Sequence, residues 1–134
     1  MQITNTQPQK MLVVDDEEPI RNAMKTYFTA RGYKVDCAQE LEEAQALLEN
    51  IDYEVAIVDL RLMGIGGTEG LDVISSLREL NPMAHIILLT AHGTPAIEAE
   101  ARRRGVNAVL HKPQRLRAVA QVVSGLMERK LENV

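Results

Sequence analysis

Four short, predominantly apolar runs with helical stretches between them decide most of what this chain can fold into. They are Met11–Val14, Val55–Val58, Ile86–Leu89 and Val106–Leu110. A strand with one wet face alternates apolar and polar residues, whereas a run of four or five apolar residues marks a strand covered on both faces. A weaker stretch, Tyr33–Cys37, does alternate and reads as an edge strand. The intervening segments carry apolar residues at helical spacing. Ile20, Ala23, Met24, Tyr27 and Phe28 form one stripe, which Gly32 terminates. Leu41, Ala44, Leu47 and Leu48 form a second, and Leu71, Ile74, Leu77 and Leu80 a third that stops at Asn81–Pro82. Thr94 followed by Pro95 predicts an N-cap and first helical residue, with Gly105 closing that helix. Leu116, Val119, Ala120, Val123, Leu126 and Met127 mark the fifth.

Strand and helix therefore alternate five times, with short connections. Such alternation predicts an α/β fold, a doubly wound (βα)5 sandwich with a parallel sheet between two helical layers. The length of 134 residues suits one domain. Its expected bounds are residues 10–130, after a flexible segment at 1–9 and before a C-terminal tail at 131–134, with charge concentrated from Glu128 on.

Composition removes several functions. Lys and Arg number 15 against 19 Asp and Glu, a net charge of -4, so the basic excess of a nucleic-acid-binding domain is missing. Aromatic residues make up 3%, with no Trp, which leaves no platform for stacking bases. No apolar stretch reaches the roughly 20 residues that span a bilayer, and the first ten residues lack a signal-peptide core. Cys37 is alone, so no internal disulfide can form and a cytoplasmic setting is expected. Cys37 is expected to be a buried small hydrophobe, and the methionines core filler.

The polar residues at the strand ends are more telling. The first strand runs into Asp15 and Asp16, the third into Asp59, the fourth ends in Thr90, and the fifth leads to Lys112 and Pro113. In a parallel sheet these ends share one rim, where ligands bind. Three clustered carboxylates raise one another's pKa, a penalty that a hard divalent cation such as Mg²⁺ removes. A carboxylate beside such a metal can attack phosphorus to form an acyl phosphate, with Lys112 and Thr90 meeting the transferred oxygens. The chemistry indicated is phosphoryl transfer to an aspartate. Asp15–Glu18 taken alone would also suit a helix N-terminus. His85, His92 and His111 show no metal-ligand spacing and read as ordinary polar residues, and Arg102–Arg104 as a helix C-terminal cluster.

In Val13–Glu17, Val58–Leu60, Leu89–Ala91 and His111–Pro113, taken in order and each after a strand, the chain resembles the receiver domain of two-component response regulators. The resemblance implies the flavodoxin-like strand order 2-1-3-4-5, for which a member of this family is a standard example. It implies Asp59 as phosphoacceptor, with Mg²⁺ held by Asp16, Asp59 and the backbone carbonyl of Arg61 and with Asp15 acting mainly through water. Thr90 is similar to the family's switch hydroxyl and Lys112 to its lysine, with Lys112–Pro113 expected to be cis. The implied role is a signalling switch rather than an enzyme. Its partners would be a histidine kinase or phosphotransfer protein and a downstream protein or missing effector domain, with room for a phosphorylation-dependent dimer.

Several positions depart from the family pattern. Val109 stands where an aromatic is usual, Met63 where Pro is common, and Ile65–Gly70 looks like a lengthened loop. The resemblance further implies that Arg61 and His92 flank the path of attacking water. A haloacid-dehalogenase-like phosphohydrolase also forms an aspartyl phosphate, but it opens with Asp-x-Asp and places its acidic pair last. A receiver-like binding module without phosphotransfer is the other alternative, which Val109 keeps open.

Overall fold

The computed structural model describes residues 7–59, 69–91 and 93–132, with side chains described as far as Glu128. Five strands, β1 (Lys10–Val14), β2 (Lys34–Ala38), β3 (Val55–Asp59), β4 (His85–Thr90) and β5 (Ala108–His111), alternate with five helices. The helices are α1 (Glu18–Ala30), α2 (Leu41–Leu48), α3 (Glu69–Leu80), α4 (Pro95–Arg103) and α5 (Leu116–Glu132). All strand pairs are parallel, in the order β2-β1-β3-β4-β5, so the expected flavodoxin-like order holds.

Residue alternation sends each strand's side chains into two separate cores. Leu12, Val14, Ala56, Val58, Ile86 and Leu88 pack beneath α2, α3 and α4. Met11, Val13, Val55, Ile57, Ile87 and Leu89 pack beneath α1 and α5. This two-sided burial is why β1, β3 and β4 read as unbroken apolar runs.

The helix stops fall where the sequence places them. Gly32 takes φ +97° and Gly105 φ +111°, left-handed values that a Cβ disfavours. The Thr94 hydroxyl accepts from the Ile97 N–H at 3.2 Å, the capping bond its position predicts.

Four expectations need correction. The fifth strand begins at Ala108 rather than Val106, because the Val106 N–H closes the end of α4 on the Ala101 carbonyl at 3.1 Å. Leu80 lies on the apolar stripe but is 44% exposed, since α3 ends there. Met83 is 75% exposed, unlike the buried Met11, Met24 and Met127. Cys37 is only half-buried, with Sγ 3.8 Å from the Arg21 carbonyl oxygen, and burial pushes its thiol pKa up, which makes it a poor nucleophile.

One buried polar contact anchors the edge strand. The Tyr53 hydroxyl, deep beneath α2, donates to Asp36 Oδ2 on β2 at 2.7 Å. Burial, and the bond to Asp36, push the phenol pKa well above its ordinary value, so it stays a donor. Tyr53→Phe should therefore cost about 1–2 kcal/mol, because Asp36 loses a partner while the ring still packs. A urea midpoint equal to that of the parent protein would contradict this.

Candidate functional site: an acidic rim at the C-terminal strand ends

Four strands deliver the rim. β1 ends at Val14 and hands the chain to Asp15 and Asp16, while Asp59 and Thr90 are the last residues of β3 and β4. Lys112 follows β5, and its N–H donates to the Thr90 carbonyl at 2.7 Å, which continues the sheet past its last paired residues. The Lys112–Pro113 bond is cis. Asp15, Asp59 and Thr90 are 2%, 3% and 1% exposed, unusual burial for polar side chains.

The three carboxylates converge: one oxygen from each of Asp15, Asp16 and Asp59 lies within 4.8 Å of the others. Lys112 Nζ sits 3.2 Å from Asp59 Oδ2 and 3.4 Å from Asp15 Oδ2. Asp15 Oδ1 accepts the Glu17 N–H at 2.8 Å, which stabilises the turn into α1, while the Asp15 carbonyl accepts from Arg21 Nη1 at 2.9 Å. Asp15 thus contributes to both the helix start and the cluster. Glu17, the N-cap residue, makes no side-chain cap of its own.

Burial pushes the Asp15 carboxyl above its ordinary pKa, and the Asp59 charge pushes the same way. The Glu17 N–H and Lys112 pull it back without cancelling the rise. Lys112 shows the converse. Burial works to lower its pKa, but the charges of Asp59 and Asp15 outweigh it and hold the ammonium above its usual value. One ammonium thus faces two acids.

Asp16 Oδ1 is buried and has no hydrogen-bond partner among the described residues. An ionised oxygen in that state is costly unless a cation reaches it. The donor set is all hard oxygen, which suits Mg²⁺ and excludes a soft-metal site. The residues present fit a divalent cation.

The structure brings Asp15, Asp16, Asp59, Thr90 and Lys112 to one edge. Arg61, Met63, His92 and most of the 65–70 loop lie outside the described residues. Val109 is half-buried on β5, facing the core beneath α2–α4. The histidines are not alike, and the structure adds a contact that the sequence reading missed. His111 Nε2 lies 2.6 Å from Glu98 Oε2 on α4. Glu98 reads in sequence only as an acid in a helix's first turn, and no local signal couples it to a residue 13 positions away.

Comparison with known proteins agrees with this geometry. The response regulator receiver domain pattern matches residues 11–124. The chain is 35% identical over 103 residues to the photosynthetic apparatus regulatory protein RegA of Cereibacter sphaeroides, covering 77% of this chain and 54% of RegA. It is 31% identical over 130 residues to the two-component response regulator PhoP of Pseudomonas aeruginosa, covering 92% of this chain and 56% of PhoP. The chain therefore spans about half the length of these relatives. A CheY-like receiver domain from Methanospirillum hungatei superposes with a TM-score of 0.88 over 95% of this chain and 99% of its own, at 22% identity, a likeness of fold. A response regulator from Burkholderia pseudomallei, solved with a phosphorylated aspartic acid, calcium ion and citrate, gives 0.77 at 30% identity over 94% of this chain and 75% of its own. The fold, the converging acids and the match over residues 11–124 agree: this chain belongs to the receiver domain family of two-component response regulators.

Proposed function

We propose that this domain is a phosphorylation switch in which Asp59 accepts a phosphoryl group from a histidine kinase or phosphotransfer protein. The observation that carries the reading is the convergence of Asp59 with Asp15 and Asp16 beside Lys112, with a buried Asp16 oxygen left without a partner. The phosphorylated aspartic acid of the Burkholderia relative supports it. Asp15, Asp16 and Asp59 would hold Mg²⁺, together with the backbone carbonyl of Arg61. When bound, the ion neutralises charge on the phosphoryl oxygens and on the acids.

This chain's own residues account for the rest. An Asp59 oxygen attacks phosphorus and forms a P–O bond as the P–N bond of a phosphohistidine breaks, and the departing imidazole keeps the bonding pair and takes up a proton. Lys112, 3.2 Å from Asp59, offers its ammonium to an oxygen of the incoming group. Thr90, at the end of the adjacent strand, offers a hydroxyl donor. Phosphorylation then alters the surface that a downstream partner or effector domain reads. With valine at 109, no aromatic ring is available on that part of β5 to carry the change.

Incubation with acetyl phosphate and Mg²⁺ should add one phosphoryl mass to the intact protein. Asp59→Asn, or excess chelator, should abolish it. Equal labelling of Asp59→Asn would overturn the assignment.

A further inference from the structure

Helix α4 is lightly anchored. Ala101 is the buried residue of its nine, with Ile97 packed partly against the core. Its C-terminal end is tied to α3, where Arg104 Nη1 reaches Asp72 Oδ1 at 3.2 Å and the Ser75 hydroxyl at 3.3 Å. Its N-terminal end is tied differently, by Glu98 to His111, the last residue of β5.

That tie touches the rim from behind. His111 is the register partner of Thr90, and the next residue, Lys112, donates its N–H to the Thr90 carbonyl. On the other side, Glu98 lies close to Gly93, three residues past Thr90. A Cβ placed on Gly93 would lie 3.0 Å from Glu98 Oε2, 3.1 Å from Thr90 Cγ2 and 3.2 Å from Thr90 Oγ1. One carboxylate thus lies between His111 at the end of β5 and Gly93, three residues past the residue that would follow the phosphoryl group. Glu98 is therefore among the side chains that a movement of Gly93 would meet.

The pair's setting suits a contact that opens. The His111 side chain is 63% exposed and Glu98 19%, so water competes for both. A partly exposed contact of this kind is weak enough to be exchanged, whereas a fully buried one would hold too firmly to release.

We propose that Glu98 and His111 form a latch that fixes the first turn of α4 to the tip of β5 in the resting domain and releases it when the Thr90 loop rearranges. The coupling to phosphate rests on Asp59 being the phosphoacceptor, whereas the latch itself belongs to the phosphate-free protein. Glu98 is in these terms a positioning residue, acting on the surface of α4 through His111 and Gly93.

Amide hydrogen exchange of the whole chain, resolved by peptide, tests both parts. Without phosphate, Glu98→Gln and His111→Leu should each raise exchange across residues 95–103 about three-fold, with β1 and β3 unchanged. His111→Leu controls for Glu98's favourable interaction with the helix dipole, which that variant keeps. His111→Lys keeps a hydrogen-bond donor opposite Glu98 and should exchange like the parent. After acetyl phosphate and Mg²⁺, exchange in α4 of the parent should rise, with little further rise in Glu98→Gln. Unchanged α4 exchange in Glu98→Gln, or identical behaviour of His111→Lys and His111→Leu, would overturn the latch. Absence of phosphoryl mass in every variant would instead overturn the phosphoacceptor reading, while the phosphate-free comparison still decides the latch.

Discussion

Arg78→Met should lower the stability of the domain by about 3 kcal/mol, seen as a reduced urea midpoint by far-UV circular dichroism. Arg78 leaves the last turn of α3 and fills the gap between two connections, α3–β4 and α4–β5, at the end of the sheet remote from the rim. Its Nη1 donates to the carbonyls of Pro82 and Ala84 at 2.7 and 2.8 Å. Its Nη2 donates to the Gly105 carbonyl at 2.6 Å and to Asn107 Oδ1 at 3.0 Å. Asn107 Oδ1 in turn accepts the Ile86 N–H at 2.7 Å, so the guanidinium supports the start of β4 through it. Methionine keeps much of the volume and none of the donors, leaving partly buried carbonyls without partners. The four bonds are not additive, which sets the estimate well below their sum. Gly105 is part of the same device. A Cβ there would come within 2.7 Å of Arg78 Nε, and φ is already +111°, so Gly105→Ala should be destabilising for two separate reasons. A loss under about 1 kcal/mol in Arg78→Met would show that water replaces the donors.

Lys112→Met should cost about 2 kcal/mol near neutral pH, since it strands Asp15 and Asp59 without their shared cation. The expected figure is below that for a fully buried pair, because the lysine side chain is 19% exposed and its contacts are long. The pH dependence carries a sign that can be checked. Burial raises the Asp15 pKa in the folded state, so the folded protein binds that proton more tightly than the unfolded chain does. Its charge therefore opposes folding at neutrality. That opposition fades as pH falls through the raised folded value and is gone below the ordinary value of 3.8. The Lys112 contribution is fully present below its ordinary value of 10.5 and is lost as pH rises through its raised folded value. The deficit of Lys112→Met should accordingly shrink as the solution is acidified toward the carboxylate range. Asp15→Asn should behave oppositely, gaining about 0.5–2 kcal/mol without metal at pH 7. Millimolar Mg²⁺ should raise the melting temperature of the parent by mass action and that of Asp15→Asn by less. A deficit in Lys112→Met that stays constant from pH 7 down to the carboxylate range would mean that the acids and the lysine are not energetically coupled.

The sheet was legible because burial on both faces leaves a mark in consecutive residues, as in Val55–Val58. The rim was legible for a related reason: parallel strands bring Asp15, Asp59, Thr90 and Lys112 to one edge whatever the details of packing. The contacts that escaped the sequence depend on pairs far apart along the chain. Arg78 meets Gly105 across 27 positions, and Tyr53 meets Asp36 across 17, with nothing in either neighbourhood to announce the partner. Val106 misled because an apolar residue that closes a helix end looks like one that opens a strand. Leu80 misled because a helical stripe does not say where the surface it packs on stops.

Among the described residues, the two cores beneath the helices lie on opposite faces of the sheet, which is one backbone thick. Leu12 and Val13 are chain neighbours, yet they belong to different interiors. Such a partition makes the molecule two half-shells sharing a wall. Cavity-forming substitutions on opposite sides, such as Ile74→Ala and Val123→Ala, should therefore add in their cost, whereas pairs on one side should not. The wall also insulates. Side chains of α1 and α5 can change to suit one partner while those of α2, α3 and α4 change to suit another, with neither set of changes entering the other's packing. Only the rim, where every strand ends, belongs to both halves at once.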